Sequence, residues 1–166
     1  MQFSLIDRIV ELQPGVKITA VKNLSMAEDY LADHFPEFPV MPGVLMLESM
    51  IQAGAWLIRC GEDFAHSMVL LKQARNLKYG HFVEPGQTLT VTAEIVKQTD
   101  NETTLKAQGT VDGQTTVSAR LVLVRYNLAD TVPDRGEIDE ATKKDLRRQF
   151  GLLYEPPSAV PAAATS

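Results

Sequence analysis

Apolar and polar positions alternate in two short segments near the start of the chain, Leu5 to Leu12 and Lys17 to Asn23. A period of two is typical of a half-buried β-strand. Between them stands Gln13-Pro14-Gly15-Val16, whose proline and glycine favour a tight turn. The pattern therefore predicts that the chain opens with a β-hairpin.

A short helix and a stiff loop are predicted next. Ser25 and Glu28 have the spacing of a capping box, which predicts a helix running through Leu31. The segment HFPEFPVMPG, residues 34–43, then holds three prolines in ten residues. Each proline fixes its own φ and pushes the preceding residue toward extended geometry, so this segment is predicted to be a rigid loop.

The longest apolar run follows this loop, in the sequence VLMLESMIQAGAWLI. It is too long for an ordinary strand and is rich in Leu, Met and Ala, so it predicts one helix from about Gly43 to Cys60. Gly61 is the predicted C-terminal cap. A helix that is apolar nearly all round must be enclosed by protein.

Four further segments have the pattern of strands: Ser67 to Lys78, Thr88 to Gln98, Thr103 to Val111 and Gln114 to Tyr126. Turn signals, including the dipeptide Asp112-Gly113, separate the last three and predict an antiparallel meander. The predicted fold class is therefore α+β, with a six-stranded antiparallel sheet wrapped around one long apolar helix.

The strand pattern ends at Tyr126. Residues Asp139 to Phe150 predict a charged helix with its acids first and its bases last, and its apolar stripe is Ile138, Leu146 and Phe150. The last residues, PPSAVPAAATS, have a composition typical of disorder. The predicted organisation is a main domain over residues 1–128, a charged helical extension over 129–155 and a disordered tail over 156–166.

Composition and charge exclude several classes of protein. The chain has 166 residues, a formal net charge of −5 and a single cysteine, Cys60. One thiol rules out an internal disulfide and cysteine-rich zinc sites, and it suits a reducing compartment. Net acidity argues against a nucleic-acid surface. The longest apolar run is too short and too polar for a membrane span, and the N-terminus lacks the pattern of a signal peptide, so a cytoplasmic location is predicted.

Two proton-transfer groups stand close together in the sequence, His34 in the proline-rich loop and Glu48 on the apolar helix. A carboxylate among apolar neighbours loses hydration, which favours its protonated form and therefore a general acid. Gln52 lies one turn further on the same face and could orient Glu48 through a hydrogen bond. The plainer alternatives are a solvent-facing carboxylate and a loop histidine bonded to a backbone carbonyl.

Gly43 supplies a third element, because a glycine at a helix N-terminus offers its N–H to a closely approaching anion. A simple helix start is the alternative interpretation. Together, a base, an acid and a donor for an enolate oxygen suit proton abstraction beside a carbonyl.

The segment HFPEFPVMPGVLMLE, followed by SMIQA, resembles the signature of the FabZ-type (3R)-hydroxyacyl-[acyl-carrier-protein] dehydratases, which have the hotdog fold. The resemblance is strongest from about Asp33 to Ala55 and extends more loosely from Ser4 to Tyr126. The sequence departs from the family's pattern at Glu37, at His81-Phe82, and in lacking the usual segment before the first strand.

The resemblance implies a homodimer, with further assembly into a trimer of dimers, and active sites shared by two subunits. His34 would be the catalytic base and Glu48 the acid contributed across the interface. Gly43 would hold the thioester carbonyl, Gln52 would support the acid, and Phe35 and Val44 would contact the substrate. The substrate would be an acyl chain on a phosphopantetheine arm, and no metal or organic cofactor is implied.

A basic segment provides a candidate docking surface for an acidic acyl carrier protein. No acidic residue occurs between Phe64 and Val83, whereas Lys72, Arg75 and Lys78 recur every three residues. Complementary charge would steer the acidic partner to this segment. A strand edge that is merely basic and solvated is the alternative.

Two other functions remain open on the sequence alone. A hotdog thioesterase could use Glu48 to activate water, and a paralogue without activity could retain only an acyl-binding tunnel. Fold does not separate these possibilities, because function depends on the chemistry of the site.

Overall fold

Six strands, three α-helices and two short 3-10 turns form the part of the chain that the computed structural model describes, residues 3–158. In chain order they are β1 (Arg8–Gln13), β2 (Lys17–Asn23), α1 (Tyr30–Asp33), α2 (Gly43–Gly61), β3 (Met68–Tyr79), β4 (Thr88–Gln98), β5 (Glu102–Val111), β6 (Gln114–Tyr126) and α3 (Gly136–Leu153). The 3-10 turns, Leu128–Asp130 and Pro133–Arg135, connect β6 to α3.

The strands form one antiparallel sheet in the order β1-β2-β4-β5-β6-β3. The predicted N-terminal hairpin and the β4-β5-β6 meander are both confirmed. Asp112 and Gly113 turn the last hairpin with φ values of 50° and 78°, as a type I′ turn requires. Strand β3 lies at one edge and pairs with β6 alone within residues 3–158.

Helix α2 packs against the sheet and forms the centre of the core, which confirms the predicted architecture. It contacts strands β2 to β6. Met50, Ala53 and Leu57 on this helix are completely buried. Within the described residues, no helix is long and apolar enough to cross a membrane.

The C-terminal end of α2 differs from the prediction. Gly61 is the last helical residue, and Glu62 takes the cap position with ordinary dihedral angles. The left-handed residues that turn the chain are Asp63 and Phe64. Gly61 has a packing role instead, because a Cβ atom there would lie 2.8 Å from the Cα of Gly15.

The predicted capping box of α1 is also wrong. The helix covers only Tyr30–Asp33, with Asp29 at the cap position. The Glu28 carboxylate binds the buried ammonium of Lys22 at 2.8 Å. Because this ion pair engages the Glu28 side chain elsewhere, the reciprocal contact to the Ser25 backbone does not form.

Other boundaries shift by a few residues. Strand β1 begins at Arg8 instead of Leu5, and α3 is longer than predicted at both ends. Ile138 does not belong to the buried stripe of α3, since it is 52% exposed, whereas Leu146 and Phe150 pack against the core. Most of the predicted disordered tail lies outside the described residues, and Pro156 to Ser158 form no regular structure.

A buried carboxylate anchors the start of α3 to the main sheet. Asp139 is 2% exposed and accepts hydrogen bonds from Ser67 Oγ and from the backbone N–H groups of Leu128 and Ala129. Burial alone would raise the pKa of Asp139, but these hydrogen bonds, led by that from Ser67, outweigh it and lower the pKa below the usual value.

This anchor should make the stability of the chain sensitive to acid. A carboxyl group with a lowered folded-state pKa contributes stability above its unfolded pKa and loses it as the pH falls through the folded value. We expect Asp139→Asn to lower the melting temperature at pH 7 and to flatten its decline below about pH 4. Thermal unfolding of both proteins from pH 7 to pH 2 tests this. Parallel curves would contradict the role of Asp139.

Candidate active site

The proline-rich loop that carries His34 is held at both ends. The backbone N–H of His34 donates to Tyr30 O at 3.2 Å, and that of Met41 donates to Val83 O at 2.9 Å. Val40 and Met41 are each 1% exposed. The loop is therefore fixed between helix α1 and the segment that precedes β4.

His34 is the first residue of this loop, directly after α1, and its side chain is partly exposed. Its ring centroid is 4.4 Å from that of Phe35, whose backbone is left-handed with φ of 49°. Phe35 is largely exposed, and Phe38, whose N–H donates to Phe35 O, forms a second exposed aromatic pair with Phe82. The histidine ring therefore lies against an exposed aromatic side chain.

Helix α2 begins at Gly43, directly after the loop. Pro42 occupies the cap position and no side chain caps the helix. A Cβ atom on Gly43 would lie 2.9 Å from the ring of Tyr79. The close approach of this ring explains why a residue without a Cβ atom occupies position 43. Because no side chain among the described residues caps the helix, its first backbone N–H groups remain available to an anion. Val44, the next residue, is 68% exposed.

Glu48 is held by Gln52, as the sequence predicts. Gln52 Nε2 donates to Glu48 Oε1 at 3.2 Å and to Phe3 O at 2.9 Å, while Gln52 Oε1 accepts from Leu5 N at 2.9 Å. The backbone of the N-terminal segment therefore fixes which way the amide points. Because its NH₂ group faces Glu48, Gln52 can only donate to that carboxyl group. The other carboxyl oxygen, Oε2, accepts no hydrogen bond from residues 3–158.

A cavity of about 760 Å³ contains Glu48 and Gln52. Its walls come from one face of α2, from the start of β3 and from the last turns of α3, and most of them are apolar: Phe3, Leu45, Ile51, Ala55, Trp56, Val69, Leu70, Leu71, Leu146, Leu152 and Leu153. The volume lies within the range of small-molecule sites. Helix α3 thus forms a wall of the cavity that holds the candidate acid.

His34 does not line this cavity within the described residues of one chain. Glu48 is partly exposed, so a single chain does not bury it as the sequence predicted. Ser49, in contrast, is fully buried and donates to Leu45 O at 3.0 Å. His34 and Glu48, the candidate base and the candidate acid, therefore occupy different parts of the surface of one chain, and each is partly exposed.

The basic segment lies on the edge strand β3. Lys72, Arg75 and Lys78 are all exposed, as predicted. Lys72, however, forms an ion pair with Glu102 of β5, and Arg75 Nε donates to Gln73 Oε1 at 2.9 Å. Part of the positive charge is therefore engaged within the chain.

Three parts of the site were not predicted from the sequence: the N-terminal backbone, two further side chains of α2, and helix α3. The backbone of Phe3 and Leu5 orients Gln52, and the side chains of Trp56 and Arg59 extend the cavity along α2. The helical spacing could have revealed Trp56 and Arg59, because they share the face of Glu48 at 8 and 11 residues' distance. The contribution of α3 could not be inferred from its own composition.

Comparison with known proteins identifies the family of the chain. Residues 1–120 match the family model described as a FabA-like domain. A 3-hydroxyacyl-[acyl-carrier-protein] dehydratase FabZ from Ruminiclostridium cellulolyticum is 38% identical over 112 residues, which is 68% of this chain and 79% of that protein. The enzyme of the same name from Levilactobacillus brevis is 39% identical over 118 residues, covering 71% of this chain and 80% of that protein.

Solved structures share the fold at much lower identity. The dehydratase heterocomplex ApeI:P from Xenorhabdus doucetiae matches 80% of this chain and 90% of its own, with a TM-score of 0.65 and 16% identity. The protein smu.793 from Streptococcus mutans, solved with acetyl CoA, matches 75% of this chain and 91% of its own, with a TM-score of 0.57 and 13% identity. The sheet around a central helix is the hotdog fold. The chain belongs to the FabA-like family, among the FabZ-type 3-hydroxyacyl-[acyl-carrier-protein] dehydratases.

Proposed function

We propose that His34 and Glu48 dehydrate a (3R)-hydroxyacyl thioester to a trans-2-enoyl thioester, with the acyl group carried by an acyl carrier protein. The observation that carries this proposal is the Glu48 carboxyl group, held by Gln52 in a largely apolar cavity large enough for an acyl chain. A carboxyl group presented in this way suits proton transfer to a leaving hydroxyl group.

The chemistry needs one base and one acid. The neutral His34 imidazole removes the proton at C2, and the electron pair shifts toward the thioester carbonyl. The C3–O bond then breaks as protonated Glu48 gives its proton to the departing hydroxyl group. Water and the enoyl thioester are the products. The enzyme regains its starting state when the proton on His34 returns to Glu48 through solvent.

Gly43 would stabilise the negative charge that develops on the carbonyl oxygen. The N-terminus of α2 combines unpaired N–H groups with the positive end of the helix dipole. Gly43 begins α2 directly after the loop that carries His34, and Glu48 follows five residues later on the same helix. Phe35 in the loop and Val44 in the first turn of α2 are both exposed, and they would contact the substrate.

A second copy of the chain would complete the site. The edge strand β3 is 12 residues long and exposes apolar side chains that include Leu70, Leu71, Leu77 and Tyr79. A long, apolar edge strand is a template for pairing with another chain. Pairing of β3 with β3 of a partner would continue the sheet, cover both cavities and bring His34 of one subunit toward Glu48 of the other.

Larger assembly and carrier docking extend this proposal. A trimer of dimers would be distinguished from a dimer by its mass in sedimentation, given 18.3 kDa per chain.

Arg75 and Lys78 are the basic residues of β3 that have no ion pair within residues 3–158. They would meet an acidic carrier protein wherever dimerisation leaves them accessible.

The products formed from 3-hydroxybutyryl and crotonyl thioesters test the activity. We expect interconversion of the two thioesters, detected by the absorbance of the conjugated enoyl group, with no release of free thiol. Free thiol without hydration or dehydration would instead indicate a thioesterase. Absence of any turnover, together with tight binding of the acyl chain, would indicate a non-catalytic acyl-binding protein.

A further inference from the structure

The face of α2 that carries Glu48 ends at Arg59, a partly buried arginine. Arg59 lies 11 residues after Glu48, which is about three helical turns and about 16 Å along the axis on nearly the same face. Both side chains line the same cavity. The cavity therefore has a carboxyl group near one end and a guanidinium group near the other.

The partly buried Arg59 guanidinium has no hydrogen-bond or ion-pair partner among residues 3–158. Its Nε atom is buried without a hydrogen-bond partner among residues 3–158. Within the same residues, no carboxylate oxygen lies within 4.0 Å of it, although nine ion pairs form elsewhere. The nearest acid in sequence, Glu62, is engaged by His66 at 2.9 Å and by Arg125 at 3.1 Å.

The position of the guanidinium is fixed in spite of this lack of partners. Its central carbon lies 5.2 Å from the ring centroid of Trp56, in cation–π contact. Burial lowers the pKa of Arg59 to about 10, with Glu62 opposing that shift. The guanidinium group is still charged at neutral pH. The cation–π contact with Trp56 offsets only part of the free-energy cost of its desolvation.

Helix α3 covers this end of the cavity. Leu146, Gln149, Leu152 and Leu153 form the wall opposite α2. They partly enclose the space beside Arg59. In a partly desolvated space an anion interacts with a guanidinium group more strongly than in bulk water. An acyl chain that enters with its thioester near Glu48 and follows the face of α2 would place its far end there.

We infer that the cavity accepts acyl chains whose far end carries a carboxylate, which binds the Arg59 guanidinium about three helical turns from the reacting carbons. This inference rests on the proposed function, because it takes the thioester to lie near Glu48. It identifies a specificity-determining residue that takes no part in the proton transfers.

The test compares two series of 3-hydroxyacyl thioesters of increasing length, one ending in a methyl group and one in a carboxylate. At the length that reaches Arg59, we expect the wild-type enzyme to favour the carboxylate-ended substrate in kcat/KM by about tenfold or more, the effect of one charge-assisted hydrogen bond. Shorter carboxylate-ended chains should be poor substrates, since their charge would lie in the apolar middle of the cavity.

Two variants of Arg59 distinguish a role in binding the substrate carboxylate from a role in stabilising the fold. Arg59→Met should abolish the preference for the carboxylate while retaining turnover of methyl-ended chains, and Arg59→Lys should retain part of it. Lys144→Met is the matched control, because it removes the same charge from an exposed site on α3 that does not line the cavity. This control should leave both activities unchanged.

Two outcomes would overturn the inference while the dehydratase function stands. One is a wild-type preference for methyl-ended chains at every length. The other is an equal loss on both series in Arg59→Met, which would assign the arginine a structural role. Failure of the wild-type enzyme to convert any substrate of either series would instead contradict the proposed function itself.

Discussion

Replacing His34 by alanine should lower kcat for dehydration by about 10²- to 10⁴-fold, the range expected for loss of a positioned general base. Glu48→Gln should cause a loss of the same order, because the amide keeps the shape of the side chain but cannot give up a proton to the leaving group. Neither change should alter the melting temperature by more than a degree or two, since both side chains are partly exposed.

Matched variants distinguish catalysis from nonspecific effects. His81→Ala removes an exposed histidine, and Glu94→Gln neutralises an exposed glutamate on β4. Both should retain turnover within about twofold of wild type, as expected for surface substitutions away from the reacting groups. Turnover near the wild-type rate in His34→Ala and Glu48→Gln would remove the catalytic assignment.

Replacing Arg125 by methionine should cause a large loss of stability. Arg125 is 8% exposed and binds Glu62 at 3.1 Å, Thr103 Oγ1 at 2.6 Å and the carbonyl oxygens of Thr99 and Asp100. Methionine would leave the Glu62 carboxylate and these carbonyl groups without that donor. Breaking a buried ion pair in this way costs about 3–5 kcal/mol.

That cost should lower the melting temperature by about 10 °C for a chain of this size. Arg8→Met provides the control, because its ion pair with Glu155 spans 3.4 Å between side chains that are 63% and 82% exposed. It should cost less than about 1 kcal/mol. Chemical denaturation of the three proteins measures the difference, and an equal loss in both variants would contradict the stabilising role of the Arg125 network.

The architecture was predictable because its signals are local. Strands β4 and β6 have the predicted bounds, and the turn at Asp112-Gly113 adopts the conformation that this dipeptide favours. The apolar helix α2 required an enclosing sheet, and no other arrangement of six strands buries it as simply. The contact between Gln52 and Glu48 also follows from helical spacing alone.

The features that the sequence did not predict correctly depend on contacts between residues that the local pattern does not connect. The Ser25 capping box fails because Lys22, held in the core beside β1, binds Glu28. The orientation of Gln52 depends on backbone groups 47 and 49 residues away. The position of α3 depends on Asp139, which reaches Ser67 across 72 residues. Helical spacing alone could not show that α3 covers the end of the cavity where Arg59 lies.

The division of the site between two chains is the central claim of this account. In one chain, Glu48 lines the cavity and His34 lies in a loop outside it. An isologous dimer contains each contact twice, so a shared site would appear twice, each time with His34 from one subunit and Glu48 from the other.

A heterodimer of one His34→Ala chain and one Glu48→Gln chain tests this claim most directly. Chains with different affinity tags can be co-expressed and the heterodimer isolated by two successive purifications, with a doubly tagged wild-type dimer as the reference. One of its two shared sites would pair an intact His34 with an intact Glu48, so we predict about half of the wild-type activity. A heterodimer as inactive as the two parent homodimers would contradict the shared site and place both groups of each site in a single chain.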